Sequence, residues 1–493
     1  MIASSDGWRR LGMLAVFLFL VVLVGIAYLG IRFLGDTPVE HKTSEAHFKY
    51  GSLGSEHEFG MPYWIWRALP EVFPDKLPGK GWQSLGFVFE KGQDLPVGMS
   101  KRRYRGFDLV WLNCAFCHTG TVRDSPESEP RVIAAMPANT FDFRRFIQFL
   151  FDASVDPRFN PYRIILEIDR MGGELDLIDR AILRLYAIRY MRERVLGLRA
   201  RLEPLYRLQP ELWGPGRVDT FNPLKVYFGF PLEKLPAEEL VGTTDFPSIW
   251  NQGKRRGMHL HWDGNNASLE ERNRSAALGS GVTPPTLDRP SMERVERWLL
   301  ELTPPPYPYP IDRALAAAGA PIYVQYCADC HGADGKSFTG KWVGQVTPIE
   351  AIGTDPHRLT SYTLLVAQNQ NLLYAGYDNE RFRHFRKTQG YANMPLDGLW
   401  LRAPYLHNGS VPTLRDLLEP SGRRPAIFYR GHDVYDRARV GFVSTVPAEG
   451  SRTYFRFDTS QRGNSNRGHE GRRYGTELSP ADKDALVEYL KTF

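Results

Sequence analysis

The chain has 493 residues, with 62 Lys plus Arg against 56 Asp plus Glu, a formal charge of +6, 42% hydrophobic residues and four cysteines. A chain of this length has room for two or three domains with real cores, and four cysteines are too few for a disulfide-built scaffold. The positive charges are spread along the chain with no Lys/Arg run, which excludes a nucleic-acid tract.

In chain order, the first element is apolar. Arg9 and Arg10 precede the uncharged run Leu11 to Ile31, 21 residues that stop at Arg32. About 20 apolar residues cross a hydrocarbon core. No Ala-x-Ala cleavage site follows, and the Arg pair holds the N-terminus on the cytoplasmic side. Residues 1–35 are therefore expected to be a single-pass anchor in a bacterial inner membrane, with the body on the periplasmic side.

Residues 36–303 are expected to form an N-terminal haem domain with a helical insertion. Its first part, His47 to Val122, is rich in aromatics, Gly and Pro and predicts irregular backbone wrapped around a large rigid cofactor. This part contains Cys114-Ala115-Phe116-Cys117-His118. Cys-x-x-Cys-His attaches c-type haem: Cys114 and Cys117 add to the vinyl groups and His118 is carried under the ring to the iron. The insertion follows, with Leu175, Ile178, Ile182, Leu183, Leu185 and Ile188 at helical spacing and charges on the other face. It predicts one or two scaffold helices, ended by Trp213-Gly214-Pro215-Gly216.

Thr303 to Pro310 holds five prolines in eight residues. Residues 304–310 therefore read as a linker, and 311–493 as a C-terminal cytochrome c domain. There Ile311 to Tyr326 predicts a helix delivering the second motif, Cys327-Ala328-Asp329-Cys330-His331, and Ser479-Pro480 starts a closing helix. The fold class expected is mainly α, cytochrome c-like haem domains with long irregular loops, an N-terminal transmembrane helix and no sheet-based core. Two motifs mean two covalent haems, whose propionates offset about four of the positive charges at neutral pH. The motifs lie 213 residues apart, unlike the clustered pairs of a zinc ribbon.

Function turns on the far side of each iron, where a second strong ligand gives an electron carrier and an open position gives a site for peroxide or oxygen. Downstream of His331 stand one methionine, Met394, and the histidines His407, His432 and His469. Spacing does not choose among them.

The run Leu401-Arg402-Ala403-Pro404-Tyr405-Leu406-His407-Asn408-Gly409-Ser410 resembles the Ala-Pro-Tyr-x-His-(Asn/Asp)-Gly motif of di-haem cytochrome c peroxidases. Gly60 to Trp66, Asn113 to Arg123, His261 to Asn266, Glu271-Arg272-Asn273, Gly468-His469 and Tyr474-Gly475-Thr476 are similar to the branch of the di-haem rubber (polyisoprene) oxygenases. The resemblance implies that His469 is the far ligand of the C-terminal haem, making it bis-His. It implies that His407 contacts haem through a propionate, with Arg402 a further cofactor-binding candidate. It also implies that the haem on His118 has the reactive face, lined from His259 to Gly281. Bacterial peroxidases carry a methionine after the motif that this chain lacks, so peroxidase-style storage of an oxidising equivalent is not implied.

Within that lining, Glu271, His259 and His261 are candidates to move a proton. Trp262, with Trp250, is a candidate to stack on haem or relay electrons. The function expected is a haem-dependent oxidoreductase, peroxidase-like or dioxygenase-like. Its partners would be an electron-donor or acceptor protein, with peroxide, dioxygen or an unsaturated apolar molecule as substrate. The alternative is a non-catalytic electron carrier of a respiratory chain.

Overall fold

The structure, a computed structural model, describes residues 5–493. It is mainly helical, with short strands collected in one four-stranded and several two-stranded sheets. The apolar run forms the helix Ser5–Leu34, exposed over most of the stretch from Trp8 to Leu29 and long and apolar enough to cross a membrane or to act as a signal sequence. Arg32 ends it and reaches Asp176 and Asp179 at 2.6 and 2.5 Å.

The segment after it corrects the expectation of irregular backbone. Asp36–Pro38 pairs with Met99–Tyr104, which forms a hairpin with Phe107–Leu112, and Met61–Pro62 closes the sheet, all antiparallel. The turn is Arg105-Gly106, with φ of 48° and 83°. Both central residues are left-handed, the geometry that matches strand twist. An arginine in place of the usual Asn or Asp at that position concealed the hairpin. The sheet delivers Leu112 directly into Asn113 and the first haem motif.

The insertion is helical as its spacing predicts. Pro161–Arg170 starts on the Asn160 cap, and a longer helix runs from Leu177 to Leu208 through a π-turn at Leu183–Ala187. Ile164, Ile168, Leu183, Ile188, Met191 and Leu205 face the first core. The same core holds the Trp66–Trp82 stack (5.2 Å) and Phe116, whose ring lies 3.9 Å from Phe141. Both variable residues of the first haem motif are thus core residues, Phe116 here and Ala115 in a second core, which fixes the loop that carries both cysteines.

The second core joins residues from both sides of the proline-rich run, with Phe48, Val97, Ala115 and Trp250 beside Trp400, Tyr405 and Leu486. Arg313–Tyr326 packs on Pro480–Leu490, and Gly319 makes the approach possible, since a Cβ there would lie 2.0 Å from the Ala485 carbonyl oxygen. Ser479 caps the closing helix by accepting from the Asp482 amide at 3.2 Å, with Pro480 at its first position. Leu486 and Leu490 are buried beneath it, each contributing roughly 1.5–3 kcal/mol. The proline-rich run lies against this core: Tyr307 is edge-on to Trp400 at 5.8 Å, and the Trp400 indole donates to the Pro305 carbonyl at 3.0 Å.

Candidate functional site

Each Cys-x-x-Cys-His loop is held by hydrogen bonds that point its histidine inward. At the first, Asn113 accepts from the Ala115 amide at 3.0 Å and donates to the Gly51 carbonyl at 3.0 Å. His118 then places Nδ1 2.9 Å from the Pro247 carbonyl. At the second, the amides of Cys330 and His331 bond the Cys327 carbonyl, and His331 Nδ1 lies 2.7 Å from the Met394 carbonyl. A carbonyl only accepts, so both imidazoles carry the proton on Nδ1 and offer Nε2 as the unprotonated ligand.

All four thiols are free and half-buried. Burial pushes the Cys114 and Cys327 thiols up to about 12, against the thiolate that a zinc site or a redox pair requires. Among the described residues no group of three or more His, Cys, Asp and Glu side chains has metal-site spacing. The donor set fits a covalently attached haem.

The ring of His469 faces His331 with 6.2 Å between centroids. That separation would allow His331 and His469 to hold one metal between them, with metal–nitrogen bonds of about 2.0 Å. His469 reaches this position with a left-handed backbone, φ 47°, in a turn that Gly468 packs against Gly353 and Thr354. Arg424 donates to the carbonyls of Gly468 and His469 at 2.9 and 3.2 Å, and the Tyr474 ring lies 4.7 Å from the His469 ring. Met394 supplies its carbonyl on the His331 side. His432 is engaged elsewhere, stacked on Tyr454 at 4.3 Å and 3.5 Å from Glu449.

His118 has different surroundings. Its ring neighbour is Phe246 at 6.4 Å, and among the described residues no second imidazole stands at the spacing seen around His331. Burial holds His118 down to about 4, helped by the nearby charges of Arg272 and His261. His261, itself lowered to about 4 by burial, adopts φ 63° and places Nδ1 2.6 Å from Asn265 Oδ1. Arg272 is the residue that sequence reasoning missed as a participant. Its Nε is buried without a partner, and burial lowers the guanidinium to about 10. Its signal was its place in Glu271-Arg272-Asn273, where the glutamate drew attention first.

The other candidates occupy defined places. Glu271 is buried and accepts from the amides of Arg383 and His384, at 2.8 and 3.0 Å, and lies 2.8 Å from His384 Nδ1. His259 places Nδ1 3.1 Å from the Gly264 carbonyl, with the Arg386 guanidinium beside it at 3.2 Å. Trp250 is buried and donates to the Ala134 carbonyl. Trp262 bridges the two halves: its indole donates to the Asp245 carbonyl at 2.8 Å and its own carbonyl accepts from the Ala392 amide at 2.8 Å. Asp245 is two residues from Pro247, and Ala392 is two residues from Met394. The backbone acceptors behind His118 and His331 are therefore joined through Trp262.

Arg402 donates to the Pro395 carbonyl at 2.8 Å and to Asp397 at 2.6 Å, which also takes Arg255 at 2.5 Å; Arg402 Nε is buried and unpartnered. His407 is buried, stacked on Tyr391 at 4.1 Å, and its carbonyl accepts from the Asp245 amide at 2.9 Å. Burial lowers its imidazole from 6.5 to about 3. The unfolded chain thus binds a proton that the folded ring refuses. The stability this contributes is whole above pH 6.5 and drains as pH falls toward the folded value, at about 1.4 kcal/mol per pH unit. His407→Phe keeps the stack and removes the titration. The difference in unfolding free energy between pH 7 and pH 5 should shrink by about 2 kcal/mol, measured by denaturant titration; an unchanged difference would contradict it.

Comparison with known proteins places the chain among similar sequences. The family described as RoxA-like, cytochrome c-like matches residues 390–429, the segment that holds the Met394 carbonyl, Arg402 and His407. The chain is thus related in this segment to RoxA-like c-type cytochromes, which implies haem. Uncharacterized protein y4iM of Sinorhizobium fredii is 33% identical over 289 residues, 50% of this chain and 64% of that protein. Uncharacterized protein y4iJ of the same organism is 26% identical, over 96% of this chain and 97% of its own length. The alignment with the first of these relatives thus spans a little under two thirds of that relative's length.

Proposed function

We propose that the chain is a membrane-anchored, periplasmic di-haem c-type cytochrome that acts as an oxidoreductase, passing electrons at the His331/His469 site and activating peroxide or dioxygen at the His118 site. The observation that carries this reading is the contrast between the two sites. His331 is faced by a second imidazole at 6.2 Å, whereas among the described residues no imidazole stands at that spacing from His118, whose ring neighbour is Phe246 and on which Arg272 and His261 act electrostatically. Haem bound at these sites supplies one-electron redox chemistry and, with an open axial position, activation of a small oxidant.

The residues divide the remaining work. The carbonyls of Pro247 and Met394 fix the tautomers and orientation of His118 and His331. Arg272, close enough to His118 to act on it electrostatically, would stabilise negative charge developing there. His261, anchored through Nδ1 alone, is the proton-moving candidate with the freer ring. Glu271 fixes the 383–384 backbone against the helix Leu269–Gly279 that carries Arg272. Trp262 gives electrons a bonded route between the sites.

The second reading, a carrier with no substrate, is favoured by that same Trp262 route. Electron paramagnetic resonance of the oxidised full chain, with and without cyanide, decides between them. A high-spin signal that cyanide converts, beside a low-spin signal that it leaves alone, is the expected result. Two low-spin signals unmoved by cyanide would establish the carrier.

A further inference from the structure

The apolar helix does not join the body by a loose tether. Arg32, the first charged residue after the run, is shared between Asp176 and Asp179 at 2.6 and 2.5 Å. Phe33 lies so close to the hairpin turn that a Cβ on Gly106 would be 2.5 Å from its ring. Three residues later the chain is strand, at Asp36–Pro38. The start of the helix beginning at Leu177 is therefore fixed where the apolar run ends, at the level of the lipid headgroups if that run spans a bilayer.

That helix carries side chains the body does not use. Leu177, Leu185, Tyr186 and Tyr190 are 85, 72, 58 and 44% exposed. Tyr186 and Tyr190 stack on each other at 5.1 Å. Arg184 and Arg189, also exposed, make no ion pair among the described residues. Leucine and tyrosine interleaved with unpaired arginine is the composition of a membrane–water interface facing anionic lipid. From Asp179 to Tyr190 the helix advances about 16 Å at 1.5 Å per residue, while the headgroup zone is only about 5–8 Å deep. A helix standing upright would carry Tyr190 clear of the lipid.

We propose that the Leu177–Tyr190 stretch lies along the bilayer surface, with Leu185, Tyr186 and Tyr190 in the headgroup layer and Arg184 and Arg189 on anionic headgroups. This inference rests on the anchored reading above. The body is then held at the membrane in one orientation by two elements, the spanning helix and this surface helix.

The test is hydroxyl-radical footprinting of the full chain in nanodiscs containing phosphatidylglycerol, read by mass spectrometry. Tyr377, 43% exposed in the C-terminal half, is the internal reference. Docking predicts labelling of Tyr186 and Tyr190 about fivefold below Tyr377, restored by Arg184→Glu with Arg189→Glu. Both arginines are exposed, so the variants should fold. Labelling in proportion to exposure, with no response to the variants, overturns the proposal. The intact mass separates the two ideas. If residues 1–35 are absent from the mature protein, the anchor reading fails, and docking is judged by cosedimentation with phosphatidylglycerol vesicles. Binding lost in the double variant then supports it, and no binding overturns it.

Discussion

His118→Ala should reduce peroxide or oxygen consumption to background while leaving the redox wave of the C-terminal haem close to its parent position. The two sites are built separately enough for this separation to be measurable. His118 belongs to a loop fixed by Asn113 and by Phe116 in the aromatic core, and its acceptor is the Pro247 carbonyl. His331 has its own acceptor in Met394 and its own facing ring in His469. With haem held at this site as proposed, loss of His118 would remove its histidine ligand, while Cys114 and Cys117 would still retain it. Stopped-flow consumption of hydrogen peroxide, oxygen-electrode assays and protein-film voltammetry read the two effects. Retained turnover would show that the roles of the two sites are reversed. A shifted C-terminal wave would show that the Trp262 bridge couples them tightly.

The parts legible from sequence were those whose chemistry lies in side-chain type at short spacing. The two Cys-x-x-Cys-His loops, the apolar run to Ile31, the insertion helices and the Ser479-Pro480 helix start are all local patterns. What sequence concealed are the long-range partners. The groups that orient His118 and His331 are backbone carbonyls of Pro247 and Met394, and any residue type can present a carbonyl. Nothing in their identity marks them. The Arg105-Gly106 hairpin escaped because arginine adopts a left-handed conformation too rarely to serve as a turn signal.

Glu271 is the converse case, a candidate whose bonding partners the sequence does not show. A carboxylate in the expected distal segment suggests proton transfer, yet its oxygens are occupied by two amides and His384. A carboxylate so bonded is committed to holding the 383–384 backbone in place. The neighbouring Arg272, one residue on, turns the other way and keeps an unpartnered Nε in the interior. A buried N–H without a partner is costly. Pairing of this kind depends on which side of a helix faces the cleft, information that a lone sequence does not carry.

His469→Ala should abolish the low-spin signal assigned to the C-terminal haem and make that haem high-spin or water-ligated, with the haem content of the purified protein unchanged. With haem held there as proposed, Cys327 and Cys330 would still retain it, and His331 keeps its bond to the Met394 carbonyl. Among the described residues, neither Met394 nor His432 is poised to replace the lost ring. Met394 presents its carbonyl from the His331 side, and His432 is stacked on Tyr454 beside Glu449. The turn that carries His469 should survive, because Arg424 holds the carbonyls of residues 468 and 469 rather than the imidazole. Alanine in the left-handed conformation that His469 adopts adds a strain of order 1 kcal/mol, too small to unfold the domain. Electron paramagnetic resonance at low temperature, with absorption spectra of the oxidised and reduced forms, reads the outcome. The midpoint potential should rise, since a bis-His iron lies lower than one with a weak sixth ligand. An unchanged spectrum would remove His469 from the coordination sphere and return the assignment to Met394 or His432. It would also make the 6.2 Å facing of His331 and His469 a packing contact rather than a ligand pair.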